Sequence, residues 1–149
     1  MRVEIYRGNF RDSHTDPRRR INDVAFPEEI ALPFSLRQVK TIDFFPEAIE
    51  KKMAVGNHYH PVESCRHEFF TVVGLLSEKE KKNPPDALIF KWRKVGESEI
   101  QETRLKVGDA CLVPAGNTHV FVPLREGICL VGLSNKPFND ADDVKDPIF

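Results

Sequence analysis

The sequence predicts an all-β domain, an antiparallel sandwich or barrel built from roughly seven or eight short strands. Apolar and polar residues alternate with the period of two that a half-buried strand requires, most clearly in residues 87–95. Turn-forming residues recur between such stretches, among them Gly56-Asn57, Gly108-Asp109 and Gly116-Asn117. With 149 residues and 40% hydrophobic content, the chain is long enough to bury one core of its own.

The strands follow an N-terminal segment without clear periodicity. Residues 1–38 are rich in proline, arginine and aspartate, so we expect an irregular or partly extended N-terminal arm there. The barrel is expected over residues 39–149, with a C-terminal tail after its last strand. Strands are predicted at residues 39–45, 52–60, 68–76, 87–95, 98–105, 110–114, 119–124 and 128–134.

Two of the connections invite a specific prediction. Residues 46–52 favour a short helix that begins at Pro46. Residues 77–86 are charged and end in Pro84-Pro85, so we predict a solvent-exposed loop there, neither strand nor helix. Large side chains at inward strand positions are expected to line the barrel: Phe70, Val72, Phe90, Trp92 and Phe121.

Charge and cysteine content exclude several classes of protein. The net charge of −1 provides no broad positive field for nucleic acid or an anionic membrane, and the basic run at residues 18–20 is flanked by aspartates. No stretch approaches the roughly twenty apolar residues of a membrane span.

Three cysteines, an odd number, and no leader of export type favour reduced thiols and a cytoplasmic location. Cys111 and Cys129 stand in apolar runs and are predicted to be core residues.

A pair of histidines marks the stretch "GNHYH", residues 56–60. Residues i and i+2 of a strand face the same side, so His58 and His60 project together and Tyr59 projects the other way. Two imidazoles placed in this way can share one metal ion, since each must lie about 2.1 Å from it. An isolated pair of this kind is also compatible with a polar surface strand.

A second stretch, "GDACLVPAGNTHVFVP" at residues 108–123, favours the metal interpretation. Gly108-Asp109 makes a tight turn and Pro114 ends a strand. Gly116-Asn117 then turns the chain into the next strand, which His119 opens. His119 can therefore point inward, toward the histidine pair.

These two stretches resemble the two sequence motifs of the cupin superfamily, whose fold is a double-stranded β-helix, or jelly-roll barrel. The second motif, Gly-x5-Pro-x-Gly-x2-His, matches at each named position, and its usual closing Asn is Pro123 here. The first motif is irregular, because seven residues separate His60 from Glu68 and Lys52 stands where glycine is usual. The resemblance covers roughly residues 39 to 135.

The resemblance implies that His58, His60, a glutamate and His119 hold one divalent metal ion inside the barrel. Glu63 and Glu68 both follow the histidine pair, and we prefer Glu68 because it begins an apolar strand that ends at glycine, as the family's glutamate does. Three imidazoles and one carboxylate suit Fe, Mn, Ni, Co or Zn rather than Ca or Mg. Four protein ligands leave positions of a six-coordinate site open to water or to a small molecule bound in the barrel.

A narrower resemblance concerns function. "GNHYH" and the ending "LSNKPFNDADDVKDPIF" resemble small cupins of nucleotide-sugar and capsular polysaccharide pathways. This resemblance implies a metal-dependent isomerase or epimerase acting on a sugar or sugar nucleotide. An Fe(II) dioxygenase and a non-catalytic module that binds a metal or small ligand remain as alternatives. No general base is assigned among Tyr59, His67 and Glu63, since strand parity places Tyr59 outside the barrel and His67 is expected on the surface or a dimer face.

The strand predicted at residues 39–45 indicates how the chain associates. It carries apolar side chains on both faces, so one face can enter the barrel and the other needs a cover. The N-terminal arm, with Phe26 and Phe34, could provide that cover within its own chain or by crossing to a partner. Cupins usually pair in this way, and a homodimer is predicted.

Overall fold

The computed structural model describes residues 1–10, 15–20 and 23–149. The described helices are α1 (Pro46–Glu50) and α2 (Glu78–Lys82), with 3₁₀ turns at Val62–Ser64 and Asp140–Asp142. The strands are, in chain order, β1 (Glu4–Tyr6), β2 (Asn9–Phe10), β3 (Thr15–Asp16), β4 (Arg19–Arg20), β5 (Val24–Ala25), β6 (Gln38–Asp43), β7 (Val55–Tyr59), β8 (Glu68–Gly74), β9 (Asp86–Lys94), β10 (Gln101–Lys106), β11 (Ala110–Val113), β12 (Asn117–Pro123), β13 (Ile128–Ser134) and β14 (Val144–Lys145).

Two five-stranded antiparallel sheets form the body of the described chain. The first has the strand order β1-β11-β8-β13-β6, and the second has the order β10-β9-β12-β7-β14. Their inner faces share one apolar core, in which Phe70 and Leu130 of the first sheet pack with Phe90 and Phe121 of the second. The predicted lining residues therefore belong to this core, and Trp92 packs against it half-buried. The all-β prediction is confirmed.

The predicted strands are present with shifted ends. The largest shifts are at β7 and β10, which begin at Val55 and Gln101 rather than at residues 52 and 98. The short helix predicted at residues 46–52 is confirmed as α1, with Pro46 in its first turn, where the missing N–H of proline costs nothing.

The prediction for residues 77–86 was wrong, because this segment contains α2. The hydroxyl of Ser77 accepts a hydrogen bond from the backbone N–H of Glu80, and the Glu80 carboxylate accepts one from the N–H of Ser77, both at 3.1 Å. This reciprocal capping box satisfies two N–H groups at the start of the helix. The helix ends at Lys82, just before Pro84-Pro85. The charged residues and prolines favoured a loop, although the capping box is a local signal for a helix.

The N-terminal arm contributes to the barrel, and the boundary between residues 1–38 and 39–149 stays a prediction. β1 pairs with β11 at the edge of the first sheet, and Arg7 Nη1 donates to Asp109 Oδ2 at 2.7 Å. Further along the arm, apolar side chains pack on the outer face of that sheet within the same chain. They are Phe26, Ile30, Leu32 and Phe34, against a cluster formed by Phe69, Ala110 and Leu112.

The cysteines divide between core and surface. Cys111 is fully buried, as predicted, whereas Cys129 is only half-buried, so the prediction of a core position for it was wrong. The reason is the alternation of β13, in which Ile128 and Leu130 point inward and Cys129 between them points outward. The cytoplasmic location predicted from these thiols stays a prediction. Among the described residues, no helix has the length and apolar content required to cross a membrane.

Candidate metal centre

A bulge at the centre of the second sheet places two histidines side by side. His58 of β7 lies directly opposite His119 of β12, and the register shifts by one residue immediately beyond this pair. Gly56 and Asn57 have positive φ angles of 114° and 58° at this point. A Cβ on Gly56 would lie 2.5 Å from the carbonyl oxygen of His119, so the close approach of the two strands requires glycine here.

The other two predicted ligands, His60 and Glu68, lie in the segment that follows β7. His60 lies one residue beyond β7, and its carbonyl oxygen accepts a hydrogen bond from the N–H of Gly116 at 2.7 Å. Glu68 is the first residue of β8, in the first sheet, and is fully buried. The second sheet therefore presents imidazoles toward a carboxylate of the first.

The structure brings all four predicted residues together. One potential ligand atom from each of His58, His60, Glu68 and His119 lies within 4.8 Å of the others. His60 Nε2 is 2.8 Å from Glu68 Oε1, and His119 Nε2 is 3.5 Å from the same oxygen. His58 is the most exposed of the four, at 19% of its side chain.

Backbone acceptors orient two of the imidazoles. His60 Nδ1 lies 2.7 Å from the carbonyl oxygen of Asp142, and His119 Nδ1 lies 3.2 Å from that of Asn117. A carbonyl can only accept, so each Nδ1 carries a proton, which leaves Nε2 as the ring nitrogen available to a metal ion. A histidine whose Nδ1 is held by a backbone carbonyl in this way binds a metal through Nε2.

Burial keeps two of the imidazoles neutral. It lowers the pKa of His119 to about 3, against the opposing effect of the Glu68 carboxylate. Burial also lowers the pKa of His58, although the carboxylate of Asp143 opposes this. Both side chains are therefore unprotonated near neutral pH, which is the form that coordinates metal ions.

The Glu68 carboxylate has two different sides. Oε1 faces the imidazoles, whereas Oε2 accepts a hydrogen bond from Lys40 Nζ at 2.7 Å and lies 3.4 Å from Arg66 Nη2. Burial raises the pKa of Glu68, but the hydrogen bond with His60 and the neighbouring positive charge of Lys40 outweigh burial and hold the pKa well below its usual value. The carboxylate is therefore ionised and directs Oε1 into the cluster, 2.8 Å from His60 Nε2.

A glycine makes room for the lysine contact. Gly132 lies on β13 between Lys40 of β6 and Phe70 of β8. A Cβ at this position would lie 2.9 Å from Phe70 Cε1 and 3.1 Å from Lys40 Cε. The lysine stem crosses β13 where no side chain blocks it, and its ammonium lies 5.3 Å from the centre of the Phe70 ring.

The remaining candidates lie outside the cluster. Glu63 is exposed in the 3₁₀ turn Val62–Ser64, and Tyr59 lines a groove with Val144 and Lys145. His67 is half-buried rather than exposed: its Nδ1 accepts from the N–H of Ala115 at 3.1 Å, and its ring stacks on Phe34 of the arm. None of the three is positioned here as a general base.

Sequence reasoning missed the residues that surround the four candidate ligands. Strand alternation could have found Lys40, since it is two positions from Ile42 in β6 and both point inward. Asp142 and Asp143 reach the histidines through the pairing of β14 with β7, which no local pattern indicates.

Comparisons with known proteins identify the fold. No family model and no curated protein matches the chain. Among solved structures, a 3,4-ketoisomerase, QdtA, from Thermoanaerobacterium thermosaccharolyticum in complex with TDP-4-keto-6-deoxyglucose matches with 13% identity and a TM-score of 0.60, over 97% of this chain and 87% of that chain. WlaRA, a TDP-fucose-3,4-ketoisomerase from Campylobacter jejuni, matches with 11% identity and a TM-score of 0.61, over 98% and 90%.

A third match is to part of a longer protein. The capsular polysaccharide assembling protein CapF from Staphylococcus aureus shares 20% identity with a TM-score of 0.54, over 91% of this chain and 32% of that chain. Identities this low establish the fold alone. The chain has the jelly-roll fold of the cupins, which confirms the fold that the resemblance of its motifs implied.

Proposed function

We propose that this protein is a metal-dependent isomerase or epimerase that acts on a sugar or sugar nucleotide. The observation that carries the proposal is the cluster of three imidazoles and one ionised carboxylate between the two sheets. The structural likeness to ketoisomerases of nucleotide sugars supports this substrate class over the alternatives.

The donor set fits a divalent transition metal. His60 and His119 direct Nε2 toward the cluster, and Glu68 directs one oxygen there while Lys40 occupies the other. Nitrogen-rich sites of this kind suit Zn, Fe, Mn, Ni or Co, whereas Ca and Mg prefer oxygen ligands. A bound cation would supply Lewis acidity toward a carbonyl oxygen of the substrate, which makes the adjacent C–H more acidic.

The side chains around the cluster are suited to bind a polar substrate beside the metal position. Lys40 is one-third exposed, and its ammonium has donors beyond the one directed at Glu68. These can bind a carbonyl or hydroxyl oxygen. Phe70 and Phe121 pack beside His119, so they exclude water from the buried side of the cluster. The general base stays unassigned.

The first test combines metal analysis with turnover. Protein purified without chelator should contain zinc, nickel, manganese, cobalt or iron in stoichiometric amount, and the metal-loaded protein should move the keto group of TDP-4-keto-6-deoxyglucose under anaerobic conditions in D₂O. NMR would report both the new keto position and deuterium incorporation at the adjacent carbon. Protein stripped by chelator is the matched control.

The alternatives give different results in the same experiment. Iron with substrate-dependent oxygen uptake would identify a dioxygenase. Tight metal binding without turnover of sugar nucleotides would identify a binding module. Protein that neither contains nor takes up a transition metal would contradict the proposed centre.

We also propose a homodimer formed through the outer face of the first sheet. The arm covers the part of this face formed by β8 and β11, but Val39 of β6 and Val73 of β8 are 60% and 39% exposed, with Val131 half-buried between their strands. A two-fold pair of such faces would cover these side chains.

Light scattering at micromolar concentration should give about twice the chain mass of 17.1 kDa. The double variant Val39→Lys/Val73→Lys should shift the mass toward that of one chain, since it places charges on the covered face. Ile100→Lys, also at an exposed apolar residue, is the control and should remain dimeric. A monomeric wild-type protein would contradict the dimer.

A further inference from the structure

We infer that two successive residues of the C-terminal tail, Asp142 and Asp143, belong to the metal centre, and that Asp143 is a positioning residue for His58. The inference rests on the metal site of the proposed function and extends it. It assigns a role to the tail, so that metal binding and docking of the tail stabilise each other.

The tail lies against the strand that carries the histidines. β14 is the outermost strand of the second sheet, with Val144 opposite Tyr59 and Lys145 opposite His58. The 3₁₀ turn Asp140–Asp142 precedes β14, and the side chain of Asn139 caps this turn by accepting from the N–H of Ala141 at 3.1 Å. The turn thus aims the next residues toward the imidazoles.

Both aspartates contact the outer nitrogen of a histidine, by different groups. Asp142 uses its carbonyl oxygen, 2.7 Å from His60 Nδ1. Asp143 uses its carboxylate, with Oδ1 3.2 Å from His58 Nδ1. Carboxylates and carbonyls that hold the second ring nitrogen fix the tautomer and orientation of metal-binding histidines.

The carboxylate of Asp143 has a buried oxygen without a well-aligned hydrogen-bond donor among the described residues. Its Oδ1 is buried, and within the described residues no well-aligned hydrogen bond reaches it, so His58 Nδ1 is the donor available to it. A buried acceptor without a good donor is destabilising. When a cation binds one ring nitrogen, the N–H on the other side becomes a stronger donor. Metal bound at His58 would therefore strengthen this contact and hold the tail in place.

The tail has a second attachment that does not involve the cluster. Asp146 accepts hydrogen bonds from Arg93 Nη2, at 2.7 Å, and from the hydroxyl of Thr118, and its N–H donates to the carbonyl oxygen of Asn57 at 2.9 Å. A substitution at Asp143 should therefore leave β14 paired with β7. The effect of the substitution on metal binding can then be separated from loss of the tail.

The test compares Asp143→Ala with Asp140→Ala in the full chain. Asp140 is an exposed aspartate of the same tail and makes no side-chain contact with a histidine among the residues described, so it is a matched control. Zinc affinity is measured by competition with a chelator, and melting is measured on metal-stripped protein. Asp143→Ala should weaken zinc binding about tenfold, within the range for residues that hold a metal-binding histidine, and should leave the metal-free melting temperature close to wild type.

Two further measurements distinguish positioning from a structural role. Zinc should slow amide exchange at residues 139–149 in the wild-type protein and in Asp140→Ala, but much less in Asp143→Ala. Asp143→Asn, which keeps an acceptor oxygen, should restore part of the affinity. If zinc binds Asp143→Ala as tightly as wild type, this inference is wrong although the metal site stands; if the wild-type protein binds no metal, both fail.

Discussion

Glu68→Gln is expected to weaken metal binding by about tenfold or more, since the change removes the anionic ligand; even residues that only orient a ligand contribute 10–100-fold. The carboxylate is buried and ionised, with Oε1 directed at the imidazoles. The neutral amide loses both the attraction for a cation and the ion pair with Lys40. Titration of metal-stripped protein against a competing chelator measures the change.

Glu63→Gln is the matched control for this prediction. Glu63 is exposed in the 3₁₀ turn between the histidine pair and β8, and it was the competing candidate for the fourth ligand. Its substitution should leave the metal affinity unchanged. If Glu63→Gln loses the metal and Glu68→Gln keeps it, the fourth ligand is Glu63 and the turn must rearrange when metal binds.

The four clustered residues could be predicted because two local motifs resemble those of the cupins, and that resemblance implies the ligand set. Strand parity aligned His58 with His60, and the Gly-Pro-Gly spacing placed His119 at the start of an inward-facing strand. Glu68 was preferred to Glu63 because it begins an apolar strand that ends at glycine, as the glutamate of the family does. The bulge at Asn57 was not predicted. It depends on the positive φ angle of Asn57 and on the close approach of Gly56 to a strand that is distant in the sequence.

The parts that sequence reasoning missed depend on pairing between distant segments. β1 joins β11, and β14 joins β7, across most of the length of the chain. These contacts bring the arm over the first sheet and the tail to the histidines. Helix α2 is a different case, since its capping box is local and was overlooked beside the charged residues and prolines.

Arg66 is the largest of the charged side chains that the barrel buries completely, with 1% exposure. Its Nη1 donates to the carbonyl oxygen of Lys136 at 2.5 Å, and its Nη2 donates to Gln38 Oε1 at 2.8 Å and lies 3.4 Å from Glu68 Oε2. Its Nε is buried without a partner in the described chain. The guanidinium thus joins the start of β8 to β6 and to the segment after β13.

Arg66→Met is expected to destabilise the fold by about 3 kcal/mol, because it leaves buried acceptors and part of the Glu68 charge without a partner. For a chain of this size, that corresponds to a melting temperature lower by roughly 6–12 °C. The measurement is made on metal-stripped protein, so that loss of a bound ion does not contribute. Glu68 keeps Lys40, which is why the expected loss lies at the lower end of the range for a broken buried pair.

Arg104→Met provides the comparison. Arg104 pairs with Asp86 at 3.4 Å across β10 and β9, but its side chain is 57% exposed, and exposed pairs contribute little to stability. The melting temperature of Arg104→Met should stay near that of the wild type. Equal melting of the two variants would show that methionine packs in place of the guanidinium without loss, as can happen when an apolar side chain replaces a buried ion pair. In that case the role of Arg66 would be limited to the orientation of Glu68, and Arg66→Met should still lower metal affinity.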